Sequence, residues 1–108
     1  MAAHPVLKPN PTLGDLQEYV AAIVKHRGFV HDGVQHDFIM LTEEVGELAK
    51  ALRKWSGDSM ATDSVSRELE HEVADVLIML LSFCNQTGID LEKAFREKEE
   101  KNKQRVWK

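Results

Sequence analysis

The stretch "SVSRELEHEVADVLIMLLSFC", residues 64–84, decides the fold. Its apolar residues recur every three or four positions, the spacing of one face of an α-helix: Val65, Leu69, Val73, Val76, Leu77, Leu80 and Cys84. Residues 76–81 ("VLIMLL") are apolar in every direction around the helix axis, and such a helix must be buried on all sides. Because one small chain has too few other helices to cover it, the stretch predicts a partner chain over this helix.

Three further helical patterns flank this one. The first runs from Thr12, with Asp15 in a capping arrangement, to Gly28, and the second from about residue 35 to 55. The last begins at Asp90, an N-cap candidate, and continues nearly to the end. No strand pattern is convincing. Because the spacing is helical throughout, we expect an all-α, four-helix bundle-type protomer in a homodimer or homotetramer.

The chain has 108 residues, enough for one domain. Residues 1–11 contain all three prolines and show no periodicity, so we predict a flexible N-terminal arm before a single helical domain at 12–108. With 43% hydrophobic and 30% charged residues, the composition is that of a soluble globular protein. The sequence has no apolar run of membrane-spanning length and no signal-peptide centre, so we expect a cytoplasmic location and no membrane partner. The single cysteine, Cys84, is expected to be a small buried hydrophobe.

Charge is unevenly distributed along the chain. The net charge of −4 argues against a nucleic-acid polymer as partner. Residues 93–108 nevertheless carry seven Lys or Arg against three Glu, a local +4, which leaves −8 for the rest of the chain. The basic end is either a solvated helix or half of a site that holds metal with one part and phosphate with the other.

Acidic residues gather at two places that interrupt apolar stripes. "LTEEVGELAKAL", residues 41–52, contains Glu43, Glu44 and Glu47, and the opening stretch contains Glu72 and Asp75. Residues three or four apart share a helix face, so the carboxylates converge if these two helices pack side by side. They would then repel one another unless a cation lay between them, and oxygen ligands without Cys or His favour Mg²⁺ or Mn²⁺. The alternative is that they are surface acids of unrelated helices.

The last helix presents a complementary face. Lys98, Asn102 and Arg105 follow one another at i, i+4 and i+7. An ammonium, an amide and a guanidinium on one face are groups that bind phosphate. By themselves they are equally typical of an exposed helix with scattered charges, and only the acidic motifs favour a phosphate site.

Other chemistries fit less well. "HEVAD", residues 71–75, differs from a zinc-protease HExxH motif because Asp75 replaces the second His. A di-iron bundle requires Glu-x-x-His twice, and neither acidic motif supplies it. No Ser, Cys or His arrangement indicates a covalent nucleophile.

The two acidic motifs carry a family resemblance. "EEVGE" and "EVAD", separated by 24 residues, together with "GIDLEKAFREKEEKNKQRVW", resemble the MazG-like all-α nucleoside triphosphate pyrophosphohydrolases over residues 12–108. The resemblance implies Mg²⁺ ligands at four carboxylates, a supporting carboxylate for the site or the attacking water, and three triphosphate-binding side chains. The implied Mg²⁺ ligands are Glu44, Glu47, Glu72 and Asp75. The implied supporting carboxylate is Glu43, and the implied triphosphate-binding side chains are Lys98, Asn102 and Arg105.

The expected reaction is the Mg²⁺-dependent conversion of a (deoxy)nucleoside triphosphate and water to the monophosphate and pyrophosphate, in a nucleotide-pool cleansing role. The sequence does not specify base, sugar or the number of metal ions. Nucleobase contacts vary in the family, and core packing or solvent is the better interpretation for Phe29, His31, His36 and Phe38. Gly46, inside a predicted helix, suggests close approach of another backbone or of the ligand. The runner-up interpretation is a non-catalytic helical oligomerisation module.

Overall fold

Four helices make up the protein in a computed structural model that describes residues 3–28, 33–57 and 62–106. They are α1 (Leu13–His26), α2 (Val34–Gly57), α3 (Asp63–Thr87) and α4 (Leu91–Lys103). No strand occurs in these ranges. The all-α prediction is therefore confirmed for the residues described.

Local capping chemistry sets the helix ends. Thr12 begins α1 with a complete capping box, since its hydroxyl accepts from the Asp15 N–H at 3.0 Å and its own N–H donates to the Asp15 carboxylate at 3.0 Å. Asp90 caps α4 by accepting from the Lys93 N–H at 3.1 Å, as its position predicts. Gly88 ends α3 in the left-handed region at φ 72°, which glycine adopts without a steric penalty. The sequence interpretation missed Thr62, which caps α3.

The second and third helices pack against each other in opposite directions. Phe38 near the start of α2 contacts Phe83 near the end of α3, with ring centroids 6.1 Å apart. At the other end of the pair, the Lys54 ammonium lies 3.1 Å from the Glu68 carboxylate. This antiparallel pair is the principal packing unit of the chain, and α1 packs against α3 and α4.

The four helices do not close around one large core, and this differs from the bundle that we expected. Few apolar side chains are fully buried: Val20, Ile23, Ala51, Leu81 and Cys84. The radius of gyration is 16.7 Å, against about 13 Å for a compact chain of this length. The reason is the course of α4, which packs against α1 and not along α2 in the described residues.

Apolar side chains remain exposed on both helices of the antiparallel pair. On α2 these include Phe38, Val45, Leu52 and Trp55, which are 43–53% exposed. On α3, Val73, Leu77 and Ile78 are 37–52% exposed, whereas Leu81 is buried by its own chain. The chain thus covers one side of its most apolar helix and leaves the other open. The predicted partner chain would lie over this open side, and its presence stays a prediction.

The ten residues before α1 lie along that helix. Lys8 forms an ion pair with Asp15 at 3.1 Å, and the rings of His4 and His26 meet edge to face at 5.1 Å. In the described residues no single helix is long and apolar enough to cross a membrane; α3 and α4 would qualify only as a pair, and they are bent by 97° at their junction.

Candidate metal centre

Three of the predicted carboxylates meet where α2 crosses α3. Glu44 from α2 and Glu72 and Asp75 from α3 each offer one carboxylate oxygen, and these oxygens all lie within 4.8 Å of one another. The i, i+3 spacing of Glu72 and Asp75 places both on one face of α3, and the antiparallel packing brings Glu44 opposite them. We call these three residues the acidic cluster.

Like charges make the acidic cluster electrostatically unfavourable. Burial raises the pKa of Glu44 above its ordinary value, and the negative charges of four neighbours raise it further: Asp75, Glu72, Glu47 and Glu43, in decreasing order. Glu44 and Glu72 are half-buried, so water screens their repulsion only in part. Ordinary folding gives no reason to gather charges of one sign here, whereas cation binding does.

The donor set fits a hard divalent cation. The Glu72 Oε2 atom is buried and has no hydrogen-bond partner, which leaves one strong acceptor unsatisfied. The cluster contains only carboxylates and no His or Cys. Mg²⁺ and Mn²⁺ take such oxygen ligands and retain waters that can be exchanged for phosphate oxygens.

The other two predicted acids lie at the edge of the acidic cluster. Glu43 and Glu47 are both exposed on α2 and do not belong to the group of close oxygens. Their charges are nevertheless near enough to raise the pKa of Glu44. The role of Glu47 as a metal ligand therefore stays a prediction, as does the supporting role of Glu43.

The predicted phosphate-binding residues lie apart from the acidic cluster of the same chain. Lys98 and Arg105 are exposed, and Asn102 is half-buried with its Oδ1 atom buried and without a hydrogen-bond partner. With 1.5 Å per helical residue and the 97° bend between α3 and α4, Lys98 lies roughly 20 Å from Asp75 and Asn102 lies farther away. The sequence did not specify which chain brings the two groups together, and the phosphate-binding role of Lys98, Asn102 and Arg105 stays a prediction.

The remaining residues named from the sequence lie outside the acidic cluster. Cys84 is buried as expected, and burial raises the pKa of its thiol, which keeps it protonated and unreactive. A Cβ at Gly46 would meet nothing within 4 Å, so no other helix in the described ranges approaches the position where that Cβ would stand. Phe38 is 53% exposed, while Phe29 and His31 lie outside the described residues.

One acid escaped the sequence interpretation. Asp37 is only 8% exposed, and its Oδ2 atom has no hydrogen-bond partner. It stands seven residues before Glu44, which places both on the same face of α2 two turns apart. That spacing was the only sign in the sequence that Asp37 shares a face with Glu44.

Comparison with known proteins agrees with the fold and the acidic cluster. Residues 35–107 match the family model of the MazG nucleotide pyrophosphohydrolase domain. The chain is also 32% identical to dCTP pyrophosphatase 1 of Rattus norvegicus over 103 residues and to dCTP pyrophosphatase 1 of Mus musculus over 111 residues. The helical fold and the paired acidic motifs on α2 and α3 are those of an all-α nucleotide pyrophosphohydrolase. The chain belongs to the MazG nucleotide pyrophosphohydrolase family.

The matches differ in how much of each protein they cover. They include 90% of this chain and 60% of the rat relative, and 96% of this chain and 65% of the mouse relative. The chain thus spans about three-fifths of the length of these curated relatives. The family resemblance inferred from the motifs is confirmed, and the dependence on divalent metal that is general in the family agrees with the acidic cluster.

Proposed function

We propose that this chain is a Mg²⁺-dependent nucleoside triphosphate pyrophosphohydrolase that releases pyrophosphate and a nucleoside monophosphate. The observation that carries the proposal is the convergence of three carboxylate oxygens within 4.8 Å, one of the carboxylates with an unsatisfied buried atom. The names of the rat and mouse relatives make dCTP the first substrate to test. A role in cleansing the cytoplasmic nucleotide pool is the physiological side of the same proposal.

Each acidic side chain has a distinct part in the proposed reaction. Glu44, Glu72 and Asp75 would hold the cation, with Glu47 as a fourth ligand from the next turn of α2. When bound, the cation supplies charge neutralisation of the phosphates and activation of a water molecule. Glu43 accepts a hydrogen bond from that water and orients it. The water gives up one proton to the solvent as its oxygen bonds to the α-phosphorus, the bond from the α-phosphorus to the bridging oxygen breaks, and the pair of electrons of that bond leaves with pyrophosphate.

The triphosphate needs cations that the same chain does not bring to the acidic cluster. Lys98, Asn102 and Arg105 suit phosphate oxygens, but they lie roughly 20 Å or more from Asp75 along α3 and α4. We therefore propose that α4 of a second copy completes the site, in a homodimer or homotetramer. The exposed apolar sides of α2 and α3 would be covered in the same assembly.

A nucleotide panel tests the reaction. The protein is incubated with each common (deoxy)nucleoside triphosphate in Mg²⁺ or Mn²⁺, and pyrophosphate release is measured. We expect turnover that EDTA abolishes and that Asp75→Asn or Glu47→Gln removes while the circular dichroism spectrum stays unchanged. Absence of pyrophosphate with every nucleotide and both metals would leave the chain as a helical oligomerisation module, the competing function.

Subunit mixing tests the shared site. Glu72→Gln removes a carboxylate and Lys98→Ala removes a phosphate-binding group, and each variant alone should be inactive. When the two are mixed and allowed to exchange subunits, a two-fold dimer with shared sites regains roughly a quarter of the parent activity, because half of the dimers are mixed and each of those has one intact site. A mixture that stays inactive after proven exchange would place both groups in one chain's site.

A further inference from the structure

The side chain of Gln17 joins α1 to both ends of the α3–α4 junction. Its Nε2 atom donates to the carbonyl oxygen of Ile89 at 2.6 Å, and its Oε1 atom accepts from the N–H of Leu91 at 3.1 Å. The two backbone groups lie on either side of Asp90, at the point where the chain turns by 97°. One carboxamide thus satisfies an acceptor before the bend and a donor after it.

Two further bonds join the same three elements. The Asn85 side chain, in the last turns of α3, donates to the carbonyl oxygen of Gln17 at 3.1 Å. The Gly14 N–H at the start of α1 donates to the Glu92 carboxylate of α4 at 3.3 Å. The first turns of α1 are therefore bonded to the end of α3 and to the start of α4 at once.

Hydrogen bonds are important for the direction of α4 because apolar packing is sparse there. None of the residues from Leu91 to Lys103 is fully buried, and the helix packs against α1 alone among the principal helix pairs. Leu91 is the first residue of α4, and its N–H is one of the donors that an α-helix cannot satisfy internally. Gln17 supplies the acceptor from another helix and fixes the first turn of α4 relative to α1.

We infer that Gln17 is a positioning residue whose two hydrogen bonds set the direction of α4 and so the location of the Lys98, Asn102 and Arg105 face. The inference rests on the proposed function only where activity is the readout. Gln17 is far along the chain from both acidic motifs and touches none of the acidic cluster. Its loss should therefore weaken phosphate binding without changing metal binding.

The first test replaces the carboxamide with an apolar side chain of similar size, Gln17→Leu. In the parent protein, NMR hydrogen exchange should show a protected Leu91 amide, and the variant should lose at least about tenfold of that protection, the ratio that corresponds to one ordinary hydrogen bond. KM for the triphosphate should rise roughly tenfold with a smaller change in kcat. The rise in melting temperature on adding Mg²⁺ should be unchanged, because the acidic cluster lies on α2 and α3.

A second variant, Gln17→Glu, makes the bond to the Ile89 oxygen conditional on pH. A protonated carboxyl can donate to the Ile89 oxygen and accept from the Leu91 N–H, whereas an ionised carboxylate cannot donate. Glu18, Asp90 and Glu92 flank the junction, and their charges favour the protonated form at position 17. As pH rises, ionisation should remove the bond to Ile89 while the carboxylate still accepts from the Leu91 N–H, so the melting temperature of Gln17→Glu should be close to that of the parent in mild acid and fall below it at higher pH. Gln35→Glu, the same change at an exposed site on α2, should show no such dependence.

The outcomes separate this inference from the proposed reaction. Unchanged Leu91 protection in Gln17→Leu, or a melting temperature of Gln17→Glu that follows the parent at every pH, overturns the positioning role. Lost protection with an unchanged KM shows that α4 does not need this orientation and overturns the functional part. If the parent protein hydrolyses no nucleotide, the proposed function fails, and the exchange measurements still decide whether Gln17 holds the junction.

Discussion

Neutralising one carboxylate of the acidic cluster should stabilise the protein in the absence of metal. Glu72→Gln removes the repulsion of Glu72 from Glu44 and Asp75, whose oxygens lie within 4.8 Å. Two unit charges at that distance repel by about 0.9 kcal/mol in bulk water and by about 3.5 kcal/mol at an effective dielectric constant of about 20. Salt screens all three charges and Asp75 is exposed, so each pair lies closer to the bulk-water figure than to the higher one although Glu44 and Glu72 are half-buried, and the total relief for the two pairs is about 1–2 kcal/mol. This corresponds to a melting temperature higher by roughly 5–10 °C.

Mg²⁺ should reverse the order of thermal stability of the parent protein and Glu72→Gln. At a Mg²⁺ concentration of about a hundred times the dissociation constant, the parent gains about 2.7 kcal/mol by mass action. The variant has lost a ligand and should gain little. Thermal unfolding followed by circular dichroism, in EDTA and over a Mg²⁺ titration, measures both effects. The control is Glu70→Gln, which removes the same charge from an exposed position of α3 outside the cluster and should match the parent within about 0.5 kcal/mol.

The pH dependence follows from the raised pKa of Glu44. A carboxyl whose folded-state pKa exceeds its unfolded value of 4.5 stabilises the fold most below that value, and the contribution is lost as pH rises through the folded pKa. In EDTA the parent should therefore lose stability as pH rises from about 4.5, and Glu72→Gln should show a shallower loss. If Glu72→Gln and Glu70→Gln melt alike in EDTA and respond alike to Mg²⁺, the acidic cluster is not a metal site and the reasoning is wrong.

Three other perturbations test separate parts of the structure. Hydrolysis of dCTP in ¹⁸O-labelled water should place the label in the monophosphate, and label in pyrophosphate would mean attack at the β-phosphorus. Ile78→Glu, at a side chain that is 43% exposed on α3, should dissociate the assembly in light scattering and lower activity on dilution, whereas a fully active parent monomer would contradict the shared site. The Thr12 N–H and Lys8 lower the pKa of Asp15, so the contribution of Asp15 to the free energy of unfolding is present above pH 3.8 and lost as pH falls through the folded-state pKa. Asp15→Asn should therefore make thermal stability depend less on pH in the acid range.

Helix positions could be predicted from the sequence because their signals are local. Thr12 and Asp90 cap their helices through side chains that reach only three residues ahead, so the spacing alone identifies them. The meeting of Glu44 with Glu72 and Asp75 could be predicted only on the condition that the two helices pack side by side, because helical spacing puts the acids on one face of each helix without showing which faces meet. Glu47 was harder to judge, because one further turn of α2 moves a carboxylate from the close group to the exposed edge.

The direction of α4 could not be predicted in the same way. It depends on bonds between residues that are 72 and 74 positions apart, from Gln17 to Ile89 and Leu91. A glutamine in an amphipathic helix carries no sign that its carboxamide will bridge a distant bend. Without that information, the sequence predicts that Lys98, Asn102 and Arg105 complement the acidic cluster but not which chain supplies them, and within one chain Lys98 and Asp75 are roughly 20 Å apart in a straight line.

Assembly, metal and substrate should be coupled through charge. Five acidic side chains surround the place where a triphosphate would bind, and the substrate itself is strongly anionic, so the cation alone leaves a large negative excess. The segment 93–108 carries a net +4, and its helical part, up to Lys103 in α4, lies apart from the acidic cluster of its own chain. If a second copy brings this segment to the cluster, triphosphate and Mg²⁺ together should strengthen the assembly more than either alone, because each reduces a repulsion that opposes the others. Dissociation measured by dilution should therefore be slowest when metal and a non-hydrolysable nucleotide are both present. If neither metal nor nucleotide changes the dissociation rate, the assembly does not contribute to the site.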